Sequence, residues 1–229
     1  MSIADKLTQI AENEQAVFDA GKKSGYKAFW GAFQNFGNRT DYRYAFAGAG
    51  AGWTVDNFKP MYNVHPTTDA REMFRDSRIN ADLGAILNEC GVVLNFSGCA
   101  RMEYAFYNTY FTALPEINLS GATATSIFDY SVKLVTIRNL IVSDTTTAVG
   151  ICNCTALQNI TITGTIANSL WIANSPLTKA SITSIISALS GTVTGKTLSI
   201  KATAKQAAFT DSEWAALIGT KPNWTISLV

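Results

Sequence analysis

Ile151-Cys-Asn-Cys-Thr-Ala-Leu-Gln-Asn-Ile-Thr-Ile162 holds, within twelve residues, a large apolar anchor, a turn and a short alternating apolar ladder. Three other segments share this order. Phe106 is followed by Phe111, Leu114, Ile117 and Leu119, Phe128 by Leu134, Ile137, Leu140 and Val142, and Trp171 by Leu177. The anchors Phe106, Phe128, Ile151 and Trp171 lie 22, 23 and 20 residues apart, the period of a solenoid coil rather than of a helical-hairpin repeat. A single such unit cannot bury its ladder, because one short strand leaves backbone groups unpaired on both edges. Stacking the units buries the apolar edge and pairs the backbone in one step.

Cys154, Leu157, Ile160 and Ile162 in this stretch resemble the BspA-type leucine-rich repeat, whose coils run roughly as A-F-x-x-C-x-x-L-x-x-I-x-I. Tyr104-Ala-Phe106 matches the start of that pattern but leaves its cysteine position unfilled, and Ser126-Ile-Phe128 has Ser131 near that place. Glu72-Met-Phe74, followed by Ile79 and Leu83, and Tyr44-Ala-Phe46 are candidate further coils. The resemblance covers about residues 70–178. It implies an α+β fold: a leucine-rich-repeat-like solenoid of short parallel strands with an N-terminal helix and an α/β C-terminal cap.

On either side of the repeats the patterning changes. Residues 1–36 read as a helix for attachment or oligomerisation, with Ile3, Leu7, Ile10 and Val17 on one stripe and Tyr26, Phe29, Trp30 and Phe33 along one broad face. Glu14 breaks the seam, so a long coiled coil is not expected. Residues 37–70 form a connector rich in turn residues, including the Gly/Ala run 47–52 and the prolines Pro60 and Pro66. That run lacks the spacing of a nucleotide-cradling loop. The solenoid is assigned to 71–178. From 179 to 229, Ile182, Ile185, Ile186 and Leu189 have helical spacing, Thr197–Ile200 alternates as a strand, 204–221 reads as one or two helical pieces, and Trp224–Leu228 alternates as a closing strand.

Composition narrows the function. Net charge is +1 and only 15% of residues are charged, so neither a phosphate backbone nor an anionic membrane finds an electrostatic footprint. No apolar run has the length of a membrane span, and the polar opening MSIADKLTQIAENEQ lacks the apolar centre of a secretory signal. Synthesis in the cytosol, or export by another route, is expected. The Asn-x-Ser/Thr triplets at Asn38, Asn95, Asn118, Asn153, Asn159 and Asn223 are then chance products of an Asn/Ser/Thr-rich chain. Cys90, Cys99, Cys152 and Cys154 have neither metal-site nor disulfide-framework spacing and read as small buried hydrophobes. The only histidine, His65, sits in a Val-His-Pro turn, which removes the usual base of metal cages and Ser/Cys-His systems. Paired carboxylates remain as an alternative chemistry, with Glu103, Glu116, Asp129 and Asp144 as candidates, though they stand in different coils. No catalytic residue, metal site or cofactor is expected.

If the ladders are strands, their outward positions include Glu116-Asn118-Ser120, Asn139-Ile141-Ser143 and Asn159-Thr161-Thr163. Of these, Glu116, Asn118, Asn139, Ile141, Asn159 and Thr161 are the candidate binding residues for a bacterial surface glycan or protein. Ile3, Leu7, Ile10, Phe29, Trp30 and Phe33 are the candidate oligomerisation residues. The opening 1–34, followed by short coils and Trp224-Thr-Ile226, is similar in style to small structural proteins of bacteriophage tails and prophages. That resemblance implies a non-enzymatic virion component for structure or host recognition, partnered by further copies of itself or by other virion proteins. A bacterial surface adhesin of the BspA type and a carbohydrate-cleaving enzyme are the alternatives.

Overall fold

The computed structural model describes residues 42–48, 68–90, 96–147 and 149–229. In the first half, turn segments lie directly on one another. Phe46 N–H donates to Met73 O (2.7 Å), Phe74 N–H to Ala105 O (2.8 Å), Phe106 N–H to Ile127 O (2.8 Å) and Phe128 N–H to Gly150 O (3.0 Å). These contacts place the four phenylalanines in a column with ring centroids 5.1, 5.3 and 5.7 Å apart and nearly parallel planes. All four rings are fully buried. Offset stacking of this kind adds to the area that the rings remove from water.

Small polar side chains tie each tier to the previous one. Ser131 Oγ donates to Phe106 O (2.7 Å) and accepts from Thr109 N–H (3.1 Å). Cys154 Sγ makes the matching contact to Phe128 O (3.0 Å), and Ser175 Oγ donates to Cys154 O (3.1 Å). Ser131 and Cys154 therefore do the same work, satisfying a buried carbonyl that no strand partner reaches. Cys99 and Cys154 are buried free thiols and Cys152 is half-buried.

After these turns the chain runs into short strands. β1 (Ala113–Asn118), β2 (Thr136–Val142) and β3 (Asn159–Gly164) form a parallel sheet in that order. Leu114 and Ile117, Ile137 and Leu140, and Ile160 and Ile162 point into the core. Helix α1 (Leu83–Cys90) packs against β1, and Pro115, which has no N–H to give, lies in this edge strand. A second parallel sheet joins β4 (Leu170–Ile172), β5 (Lys196–Ile200) and β6 (Trp224–Leu228). Helix α2 (Lys179–Ala188) separates β4 from β5 along the chain, and α3 (Ala202–Ala208) and α4 (Asp211–Gly219) separate β5 from β6. Ile182, Ile185 and Ile186 fill the buried face of α2, while Phe209 and Trp214 pack at 5.6 Å under α3 and α4.

The leucine-rich-repeat-like solenoid expected from the sequence is not the architecture formed. The strands divide into two separate three-stranded sheets accompanied by four helices among the described residues, an α+β arrangement. The break falls where the fourth repeat was expected. Trp171, read as a large apolar anchor, stands 60% exposed within β4, because it pairs with Gly150 and leaves the fully buried Ile172 in line with Ile151, and Leu177 leads into α2 instead of a fourth ladder strand. The missing ladder strand has a chemical reason: α2 lies on the free edge of β3, where Ser181 Oγ accepts from Ile160 N–H (3.0 Å) and Ser184 Oγ from Ile162 N–H (2.9 Å). With those donors satisfied by hydroxyls, no further strand can add there. β4 pairs with β5 instead, so the expected C-terminal cap is a sheet built from strands before and after residue 178. The expected N-terminal helix, with Ile3, Leu7, Ile10, Phe29, Trp30 and Phe33, and His65, Pro60 and Pro66 lie outside the described residues.

Candidate functional site

The outward side of the first sheet gathers the polar ladder residues. β1 and β2 pair in regular register, Glu116 opposite Asn139 and Asn118 opposite Ile141. Between β2 and β3 the register slips: Ile137 faces Ile160 but Leu140 faces Ile162. Arg138 and Asn139 together therefore oppose Thr161 alone, which is a β-bulge. The extra residue lets two neighbouring side chains leave the sheet on its outer side.

Asn139 uses this position as a bridge. Its Nδ2 donates to Glu116 Oε2 (2.9 Å), and its Oδ1 accepts from Thr163 Oγ1 (3.0 Å). One amide thus links all three strands and orients a carboxylate on one side and a hydroxyl on the other. Arg138 turns toward α1, where its guanidinium forms a two-pronged pair with Asp82, Nη1 to Oδ1 at 2.9 Å and Nη2 to Oδ2. The Arg138 hydrogen bonds, helped by the Ala85 N–H, hold the Asp82 carboxyl below its usual range, and the Arg138 pKa rises in return. Asn139, Glu116, Thr163 and this ion pair make a pre-arranged set of donors and acceptors on a rigid sheet.

The other candidate residues are placed unequally. Asn159 and Thr161 are exposed on β3. Asn118 Oδ1 accepts from Ser120 N–H (3.0 Å) and so holds the turn after β1. Ile141 is half-buried beside Thr163. Arg138 and Asp82 were not foreseen from the sequence. Ile137 and Leu140, three apart on the inward ladder, already leave two residues between them in the sequence; the place of Asp82 beside Arg138 depends on tertiary structure.

The carboxylates considered for hydrolysis occupy separate surroundings. Glu103 is paired with Arg101 (2.9 Å), Glu116 with Asn139, and Asp129 accepts from the Cys152 N–H (2.6 Å). Among the described residues, no group of three His, Cys, Asp or Glu could hold a metal ion, and no helix is long and apolar enough to cross a membrane. Compared with known protein families, curated proteins and solved structures, the chain matches none.

Proposed function

We propose that the protein is a non-enzymatic structural or host-recognition component of a phage tail, acting through its outward surface on a bacterial surface glycan or protein. The observation that supports recognition is the Asn139 bridge, which organises Glu116 and Thr163 across three strands. A solvated sheet face needs no such order, whereas a binding face gains from having its polar groups held before the ligand arrives. The style of the opening sequence, residues 1–34, supports the phage assignment. In this reading residues 1–36 attach the protein to copies of itself or to other virion proteins.

The test is binding of the fluorescently labelled full chain to a panel of intact bacterial cells, before and after periodate or protease treatment, together with mass spectrometry of purified phage particles. Presence in particles and saturable binding to one bacterial type are expected, with weaker binding after Asn139→Ala. Absence from particles and no binding to any cell type would sink the proposal. Release of reducing ends from surface polysaccharide would instead favour an enzyme.

A further inference from the structure

A second surface, on the turn edge of the stacked tiers, carries a more specific signal. Three tyrosines gather there. Tyr104 and Tyr107 meet edge to face at 5.5 Å and 72°, and Tyr107 meets Tyr130 at 5.5 Å and 56°. The Arg75 guanidinium lies over the Tyr107 ring, 5.4 Å from its centroid. Tyr107 is half-buried and acts as the support, while Tyr104 (38%) and Tyr130 (47%) keep open faces. Burial raises the Tyr107 pKa.

The backbone under the two open rings is unusual for tyrosine. Tyr104 has φ +59° and Tyr130 φ +62°, the left-handed region that glycine and asparagine tolerate best. Beside Tyr104 the neighbouring tiers carry Glu72 (φ +56°) and Ser126 (φ +52°), but beside Tyr130 they meet the same demand conventionally. Asn108 N–H donates to Asp129 O and Tyr130 N–H to Cys152 O, so Asn108, Tyr130 and Asn153 succeed one another in the stack, with φ of +52°, +62° and +59°. Tyrosine at Tyr130 is therefore not what the turn requires. A bulky residue kept in a strained conformation, with its ring turned to solvent, points to a role for the ring itself.

We infer that Tyr104, Tyr107 and Tyr130 form a platform for a neutral saccharide. Open aromatic faces set at an angle suit the C–H faces of pyranose rings, and the tyrosine hydroxyls with Asn108 and Asp76 supply hydrogen bonds at their rims. Tyrosine offers this contact area at low conformational cost. Charge selects against acidic sugars. Arg75 is engaged by Glu72 (2.5 Å) and Asp76 (3.3 Å), and Asp76 also accepts from Asn108 (2.7 Å), which leaves more carboxylates than cations about the rings. This inference deepens the surface-recognition reading and rests on it for its biological setting.

The experiment measures binding of the full chain to an array of neutral oligosaccharides of hexose, deoxyhexose and N-acetylhexosamine, printed beside uronic-acid and phosphate-bearing ones. Wild type is compared with Tyr104→Asn and Tyr130→Asn, which suit the left-handed backbone and so keep the fold, and with Trp171→Ser as an exposed aromatic outside the patch. Neutral sugars should bind, each asparagine variant should weaken binding roughly tenfold or more, and Trp171→Ser should not. Thermal midpoints of the asparagine variants should equal or exceed wild type. Binding to no neutral sugar, preference for acidic ones, or equal affinity in the asparagine variants overturns the platform. Cell binding that survives periodate but not protease overturns it in favour of a protein partner. If the asparagine variants still bind cells as wild type does, the platform fails while the recognition reading stands. If neutral sugars bind but the chain is absent from phage particles, the platform stands and the phage reading fails.

Discussion

Gly150 shows how closely the tiers approach. A Cβ at this position would lie 2.3 Å from Ser126 Cα and 2.4 Å from Ser126 N, both backbone atoms that cannot step aside alone. Gly150→Ala should therefore destabilise the protein by roughly 1–3 kcal/mol, the usual cost of overpacking, read as a lower denaturation midpoint with an unchanged denaturant slope. The buried thiols make a second prediction. Burial pushes Cys99 up to about 11 and Cys154 up to about 12, so neither forms thiolate at about pH 8, where an ordinary cysteine is reactive. Peptide mapping after iodoacetamide should find both unmodified in the native protein and modified once it is unfolded. The sequence pattern already marked these cysteines as core residues. The contact of Cys154 with Phe128 O, and its equivalence to Ser131, depend on the stacking of two tiers.

Between neighbouring strands, the bulge at Arg138 and Asn139 decides what the outer face presents. Asn139→Asp would set a second carboxylate against Glu116 in place of the donated hydrogen bond. A loss of up to roughly 1 kcal/mol is expected near neutral pH. A lower denaturation midpoint of the variant, compared with wild type in the same buffer, checks this. The start of α4 gives a pH dependence. Thr210-Asp-Ser-Glu213 forms a capping box, Thr210 N–H donating to Glu213 Oε2 (2.9 Å) and Glu213 N–H to Thr210 Oγ1 (3.3 Å), while Lys179 reaches Glu213 from α2 at 2.7 Å. The Lys179 hydrogen bond first, then those from Thr210, bring the Glu213 carboxyl down to about 2 from its ordinary 4.5. A carboxylate whose pKa is lower in the folded state stabilises the fold above its unfolded pKa and loses that contribution as pH falls through the folded one. Stability should thus decline between about pH 4.5 and about pH 2, and Glu213→Gln should flatten the decline. This capping box is legible in the sequence as Thr-x-x-Glu; its ion pair with Lys179 joins two helices and is not.

In the molecule as a whole, the division into two sheets turns on α2. One continuous core cluster extends through both sheets and into the stacked tiers, reaching from Tyr42 to Trp224. The hydrogen-bonded sheets nevertheless stop and restart. Ser181 and Ser184 terminate the first by accepting the outer N–H groups of β3. Removing the Ser181 hydroxyl would leave the buried Ile160 N–H without its acceptor, and Ser181→Ala should cost about 1–3 kcal/mol. Hydrogen exchange at the Ile160 amide should quicken more than exchange at Leu198 in β5. Equal quickening at both would mean that the hydroxyl contributes only to global stability.

The sequence by itself determined the spacing of the buried residues. Phe106 and Phe128 are core rings, Leu114, Ile117, Ile137, Leu140, Ile160 and Ile162 are the inward ladder, and Ile182, Ile185 and Ile186 are one helix face, because hydrophobic periodicity encodes burial directly. It also placed Glu116, Asn139, Asn159 and Thr161 on the outside. Tertiary structure alone decided which strands pair. Trp171 has the spacing of an apolar anchor yet faces solvent, since it pairs with Gly150 and leaves the fully buried Ile172 in line with Ile151. It likewise decided which outward residues act together: Asn139 with Glu116 and Thr163, Arg138 with Asp82, and Tyr104 and Tyr130 with Tyr107. Apart from Tyr104 and Tyr107, which share one turn, those partners are separated by 23 to 56 residues along the chain, and only the tertiary placement of their segments brings them within a few ångströms.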